Sequence, residues 1–257
     1  MLIKDKVVLI TGASEGVGAA LAAELAACGT KLSLVARNEE GLRRAGGPDA
    51  LITAGDITQD ETRRRAVART LEHYGAIDIL VNNAGIGMYQ QSWEMPLVDA
   101  RYLMELNFFA PLALTQLVVP HMRQRHSGMI VNVGSIAGKV VLPWLTIYSV
   151  TKSALGALTD GQRMELRRDG IHTMIVCPGY VKTRFQENVR AGVAPDKVLA
   201  ARARAITAEQ CAAAIRRGIE RDARTVVTPR VGWLLILAMR LFPAFVESKM
   251  AALLGAA

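Results

Sequence analysis

Tyr148 and Lys152 stand four residues apart. On one helix that spacing lays both side chains on the same face, within reach of a common ligand. A phenol has an unperturbed pKa of about 10, and a neighbouring ammonium favours its anion. The pair therefore predicts a Tyr148 whose pKa moves toward neutrality and which exchanges a proton with a bound oxygen. Ser135, just past a strand-like run, carries a hydroxyl suited to the same oxygen. A second group is Thr11-Gly12-Ala13-Ser14-Glu15-Gly16-Val17-Gly18. Glycines there let backbone N–H groups approach a pyrophosphate closely, where a helix N-terminus adds partial positive charge. The spacing G-x-x-x-G-x-G departs from the G-x-G-x-x-G dinucleotide fingerprint. The reading rests instead on position, directly after a predicted strand and opening a predicted helix; the alternative is a glycine turn with no ligand.

These groups need elements to hold them. Runs rich in β-branched and aliphatic residues recur at 6–10, 31–36, 50–54, 77–82, 128–134, 171–177 and 225–228, separated by segments of helical periodicity. They predict seven strands. Continuous apolar strands alternating with helices imply parallel β-α-β units covered on both faces, an α/β doubly wound Rossmann-type sheet. Leu21 and Leu25, at i and i+4 within 16–29, form a core-facing stripe, and the stretches 99–126 and 142–169 are long enough for two central helices. With 51% hydrophobic residues in a chain of 257, a disordered chain is excluded, and one domain over 1–257 fits better than two small ones. Residues 184–206 carry Gly192 and Pro195 without a strand signal and read as an irregular insert. Thr207-Ala-Glu-Gln210 looks like a capping box that restarts a helix, and 229–257 forms an apolar helical tail.

The glycine spacing resembles that of the short-chain dehydrogenase/reductase family. Four further blocks match it in order: Asn82-Asn83-Ala84-Gly85, Asn107, Ser135 with Tyr148-Ser-Val-Thr-Lys152, and Pro178-Gly179-Tyr-Val-Lys-Thr183. The resemblance spans 11–183 and implies a catalytic set of Asn107, Ser135, Tyr148 and Lys152. Tyr148 protonates the carbonyl oxygen in reduction and acts as base in oxidation, Ser135 fixes that oxygen, and Asn107 holds a water linking Lys152 to solvent. It also implies cofactor contacts from Gly12, Ser14, Glu15, Gly16, Val17 and Gly18, from Asp56 and Ile57 at the adenine, from Asn83, Ala84 and Gly85 at a ribose, and from Tyr148, Lys152, Val181 and Thr183 near the nicotinamide. Each residue has a plainer alternative. Ser135 can cap a turn, Asn107 can mark a helix irregularity, Lys152 can be a surface charge, and Asp56 or Thr58 can cap a helix. One departure is Gly134, where the family often has another Ser; little consequence is expected.

Cofactor choice rests on Leu34-Val35-Ala36-Arg37-Asn38. An acid there selects NAD through the ribose 2′-hydroxyl, whereas an Arg accommodates a 2′-phosphate. No acid is present, so Arg37 predicts NADP(H) over NAD(H). Glu15, Glu39 and Glu40 weigh the other way.

Family substrate pockets use the loop after the fourth strand and the insert after the sixth, here Met88, Tyr89, Trp93, Leu142, Trp144, Tyr180 and Phe185, with 184–206 as lid. Bulky apolar side chains fit a lipophilic ketone, aldehyde or secondary alcohol. The expected activity is hydride transfer between a nicotinamide and such a substrate; the alternatives are a 3-oxoacyl thioester reductase and a non-catalytic NADP(H)-binding scaffold or sensor. Although the net charge is +8, the run Arg63, Arg64, Arg65 and Arg69 reads as a solvated face, and no groove-reading motif suggests nucleic acid. The histidines show no metal-ligand spacing, and Cys28, Cys177 and Cys211 make no disulfide or zinc pattern. Lys6 leads straight into Val7-Val8-Leu9-Ile10 without a signal-peptide pattern, so the expected compartment is the cytoplasm. The tail at 231–246 is too short to span a bilayer. It either lies in a membrane interface or packs on a partner subunit or over the pocket; packing is favoured, because family members commonly form dimers or tetramers.

Overall fold

Alternate residues of the first strand face opposite sides of one sheet, and both sides are apolar. In β1 (Val7–Thr11) every residue is buried. Val8 and Ile10 pack with Leu21, Leu25 and Ile215, whereas Leu9 packs with Ala66, Leu114 and Val118. A strand buried on both faces cannot alternate polar with apolar residues, which is why these strands read as unbroken hydrophobic runs. The computed structural model describes residues 2–183 and 205–254.

Beside β1 lie β2 (Lys31–Ala36), β3 (Leu51–Ala54), β4 (Ile79–Asn82), β5 (Gly128–Val133), β6 (Ile171–Pro178) and, late in the chain, Thr225–Thr228. All pairings are parallel. The order runs β3-β2-β1-β4-β5-β6 and ends on the 225–228 strand. The order in which strands are added along the sheet reverses between β1 and β4, and the crevice at the carboxyl ends of those strands is where an open α/β sheet receives a ligand.

One face is covered by α1 (Gly16–Ala26), α2 (Glu39–Gly46) and Ala208–Glu220; the other carries α3 (Asp60–Tyr74), α4 (Leu97–Met104), α5 (Ala110–Gln124) and α6 (Thr146–Glu165). Leu21 and Leu25 are fully buried, as the i, i+4 stripe requires. Between α4 and α5, Glu105–Phe109 forms a π-helical turn, so the long helix expected over 99–126 is interrupted. By length and composition Leu97–Gln124 is apolar enough to cross a membrane. Leu103, Leu114, Val118 and Met122 nevertheless lie inside the protein, and it is a core helix.

Two short strands, β7 (Val181–Lys182) and β8 (Ile206–Thr207), pair outside the main sheet. Ile206, the last residue of the expected irregular insert, thus lies in a strand; two residues are too few to leave a periodic signal. Residues 184–204, including Phe185 and most of the expected lid, lie outside the described residues. Thr207 then opens α7 (Ala208–Glu220) with a full capping box: its hydroxyl accepts from the Gln210 amide at 3.2 Å and the Gln210 side chain accepts from the Thr207 amide at 3.0 Å. After β9 (Thr225–Thr228) the tail forms α8 (Gly232–Leu241) and α9 (Pro243–Leu254).

Candidate active site

Gly12 and Gly16 have φ of +64° and +57°, the left-handed region that a side chain disfavours. A Cβ on Gly12 would lie 2.8 Å from the Ala84 Cα, and one on Gly18 only 2.2 Å from the Gly12 carbonyl oxygen. The turn is sealed to β4 from both sides. The Thr11 hydroxyl accepts from the amides of Asn83 and Ala84 at 3.1 and 3.0 Å, and the Asn83 side chain donates to the carbonyls of Thr11 and Gly12. No side chain caps α1, so its first-turn N–H groups keep their donors for a ligand. Thr11 was not among the expected site residues; its hydroxyl has a role only once β4 lies alongside.

Arg37 follows β2 directly and is exposed, and it lines the same crevice as the glycine turn. Among the described residues no acid pairs with it. Of the acids that weighed against a phosphate, Glu39 pairs with Arg43, and beside it Asn38 caps α2 by accepting from the Gly41 amide at 2.9 Å. Asp56 folds its carboxylate back onto the Thr58 amide and hydroxyl, both at 2.9 Å. This fixes the turn after β3, and the N-cap of α3 is Gln59.

The reading of the arginine run as a solvated face fails for Arg63 and holds for the other three, which are exposed. Arg63 is buried and donates to the carbonyls of Ile57 and Thr58 at 2.9 and 2.7 Å, clamping the turn that presents Asp56 and Ile57. Arg65 and Arg69 donate to the Ala54 and Ile52 carbonyls on the open edge of β3. Charge in a polar helical segment shows no such difference in the sequence, because the long side chains reach back to acceptors set by the sheet.

At the other end of the crevice, Ser135 follows β5 and caps a short 3-10 turn, Ile136–Gly138, accepting from the Ala137 amide at 3.1 Å. Its hydroxyl also hydrogen-bonds Tyr148. Ser135 thus holds both the bland and the functional position. Tyr148 and Lys152 lie on the buried face of α6, with the Lys152 ammonium 5.8 Å from the Tyr148 ring centre. The ammonium donates to the Val133 carbonyl at 3.0 Å, so Lys152 is not a surface charge. Burial pushes the Tyr148 phenol up to about 12, with the Ser135 hydrogen bond opposing. Burial also brings Lys152 down to about 8. The expected movement of Tyr148 toward neutrality is therefore reversed, because desolvating a phenolate costs more than a neighbouring, itself desolvated, ammonium returns. At pH 7 both groups hold their protons.

Asn107 is fully buried on the π-helical turn. Its side chain accepts from the Ile86 amide and donates to the Ile86 carbonyl and to Thr151. A buried ladder holds α6 against the sheet: Asn82 donates to Asn132 at 2.8 Å, Asn132 to Thr159 at 2.9 Å. Gly134 is also tightly placed, since a Cβ there would lie 2.9 Å from Ile175 Cδ1 and 3.0 Å from the Val176 carbonyl. A side chain at that position would require the Ile175 tip and the Val176 carbonyl to give by a few tenths of an ångström.

One cavity of about 600 Å³ joins the two ends. Of the expected site residues, Gly12, Ser14, Glu15, Gly16, Val17, Arg37, Asp56, Ile57, Asn83, Ala84, Gly85, Ser135, Tyr148, Lys152, Val181 and Thr183 line it. Gly18 and Asn107 stand behind its wall. Of the expected pocket residues, Tyr89, Leu142 and Tyr180 line it. Met88 is instead buried with Met95 and Leu103 and Trp93 is 77% exposed, whereas Trp144 approaches the cavity by packing with Tyr89, Leu145 and Tyr148 and gives its carbonyl to the Gln90 amide at 2.8 Å. Tyr102, Leu106, Ile136 and Leu145 also line the cavity and were missed; they sit on helices and turns that only the tertiary fold brings to it. Burial pushes the Cys177 and Cys211 thiols up to about 11 and 12, away from thiolate chemistry.

A parallel sheet with a glycine turn at its switch point, sharing one cavity with a buried phenol and ammonium, defines a Rossmann-type oxidoreductase. Residues 6–194 match the family described as short chain dehydrogenase. The protein belongs to that family, whose members act as oxidoreductases on CH–OH groups. It is 35% identical over 255 residues to a dehydrogenase/reductase SDR family protein 7-like from Anopheles gambiae, covering 92% of this chain and 80% of that one. A short chain dehydrogenase from Burkholderia cenocepacia solved with NADP superposes with a TM-score of 0.83 at 27% identity, covering 97% of this chain and 99% of that one. A 3-ketoacyl-(acyl-carrier-protein) reductase from Brucella melitensis solved with NADH gives 0.80 at 26%, covering 88% and 97%.

Proposed function

We propose that the protein is an NADP(H)-dependent oxidoreductase that interconverts a lipophilic ketone or aldehyde and its alcohol. The observation that carries this reading is the placement of the Tyr148 hydroxyl, held by Ser135 in the same cavity as the glycine turn. The residues present fit a dinucleotide. A Cβ at Gly12 or Gly18 would fill the cradle, and Arg37 offers a fork to a 2′-phosphate. Glu15 through Gly18 would receive the pyrophosphate, Asp56 and Ile57 the adenine, Asn83 to Gly85 a ribose, and Val181 and Thr183 the nicotinamide end. When bound, the nicotinamide supplies the hydride.

Tyr148, protonated at neutral pH, donates its proton to the carbonyl oxygen as the carbon accepts hydride and the C=O π bond breaks. Ser135 orients that oxygen. Lys152, still an ammonium at pH 7, stabilises the phenolate left behind and passes it a proton. Asn107 acts behind the wall by fixing Ile86 and Thr151. Apolar Leu142 and Leu145, with the phenols Tyr89 and Tyr180, favour a lipophilic substrate.

NADPH and NADH consumption against ketones, aldehydes and acyl thioesters tests the proposal, with Tyr148→Phe as control. Preferred NADPH and turnover of lipophilic ketones or aldehydes are expected. Equal use of NADH overturns the cofactor assignment, preference for acyl thioesters points to the 3-oxoacyl reductase alternative, and unchanged turnover in the variant removes Tyr148 from the chemistry.

A further inference from the structure

The helix pair α8 and α9 is anchored by one face only. Ile236 and Val246 are buried, and Ile236 packs with Val140, Leu155 and Val227. Away from that anchor Trp233, Leu234, Leu237, Leu241, Phe242 and Phe245 are exposed, Leu234 by 66% and Phe245 by 65%. Positions 234, 237 and 241 follow i, i+3, i+7 and form a continuous apolar stripe. Such a patch on a folded chain marks an interaction surface.

We infer that this face seats in the headgroup region of an anionic lipid bilayer. Ten residues of α8 extend only about 15 Å, half of a hydrocarbon core, so the helix lies in the interface plane. Arg230, Arg240 and Lys249 are exposed around the stripe, against the single acid Glu247. The Lys249 ammonium sits 5.7 Å from the Phe245 ring centre, placing a cation at the patch margin. Trp233 supplies the amphipathic ring favoured at headgroup depth. A twofold pairing of this face with a second copy would instead bring the same excess of cations together, and interface cores are depleted in Lys. The face also begins beside the cavity: Gly232 packs against Ile136, which lines the cavity wall. Seating α8 on lipid would hold that wall close to a store of lipophilic molecules, whichever cofactor is used.

The experiment is flotation of the full-length protein with phosphatidylcholine vesicles and with phosphatidylcholine–phosphatidylserine vesicles. Binding to the anionic vesicles at least about tenfold tighter than to the neutral ones is expected, weakened by added salt. The double substitution Leu234→Asp with Leu237→Asp abolishes it, and Arg240→Glu reduces it. A far-ultraviolet spectrum and urea midpoint close to those of the parent show that these exposed substitutions leave the fold intact. Absence of flotation, equal binding to both vesicles, or binding indifferent to the double substitution overturns the inference. So does a dimer in sedimentation velocity that the same substitutions dissociate, which assigns the face to a second copy.

Discussion

Asn107 grips Ile86 by both main-chain groups: its Oδ1 accepts from the Ile86 amide at 3.0 Å and its Nδ2 donates to the Ile86 carbonyl at 2.9 Å. The π-helical turn makes this possible by re-aiming one side chain in an otherwise α-helical stretch, a common use of such turns at functional sites. The segment so held follows Gly85, where a Cβ would meet both Asn107 Oδ1 and Lys152 Nζ. Asn107→Ala leaves two main-chain groups of Ile86 without these partners. We expect a loss of roughly 1–3 kcal/mol in urea unfolding and a larger fall in kcat than in cofactor affinity.

Tyr148→Phe keeps the ring that packs with Leu145 and Ala137 and removes the hydroxyl. Loss of general acid catalysis lowers kcat by about 10²–10⁴-fold. Cofactor affinity, read by fluorescence titration, stays within about twofold if the hydroxyl contributes to proton transfer more than to ground-state binding.

The strands and the glycine turn were legible because local signals suffice for them: buried parallel strands are continuous apolar runs, and a turn in the left-handed region selects glycine. Asn107 was legible as a residue but its π-helical setting was not, since one extra residue per turn leaves no mark in a 3.6-residue pattern. Arg63 was misread because its acceptors, Ile57 O and Thr58 O, are backbone atoms with no sequence signature. Trp93 and Met88, both expected at the pocket, left it in opposite directions for a similar reason: both are large and apolar, and only the packing of Met95 and Leu103 decides which is enclosed.

Arg63→Ala removes two charge-assisted hydrogen bonds from the turn after β3. A loss of about 1.5–3 kcal/mol in unfolding free energy is expected. Because the turn presents Asp56 and Ile57 to the cavity, the cofactor Kd rises while kcat at saturating cofactor changes by less than about twofold; steady-state kinetics with varied cofactor separates the two.

Arg37→Ala separates the two dinucleotides. Removing a guanidinium from a phosphate costs about 1.5–3 kcal/mol, or roughly 10- to 150-fold in the NADPH dissociation constant. The NADH constant should move by less than about threefold. Isothermal titration with both dinucleotides checks this, and parallel weakening would show that Arg37 serves the adenine rather than a 2′-phosphate.

The two buried proton carriers also predict opposite trends in stability with pH. Lys152 has a folded-state pKa of about 8 against an ordinary 10.5, so between these values the unfolded chain binds more protons and stability rises with pH. Its contribution is present above 10.5 and is lost as pH falls through 8. Tyr148 is raised from 10.0 to about 12, so the folded chain holds the extra proton there. Stability from Tyr148 is present below 10.0 and is lost as pH rises through 12. The difference in urea midpoint between the parent and Lys152→Met, taken at pH 7.5 and 9.5, isolates the first window, because the opposing slope of the buried Cys177 and Cys211 thiols is common to both proteins: the parent gains stability relative to the variant, which has no ammonium to desolvate. A rise of the same size in Lys152→Met would place the titrating group elsewhere and leave Lys152 charged throughout.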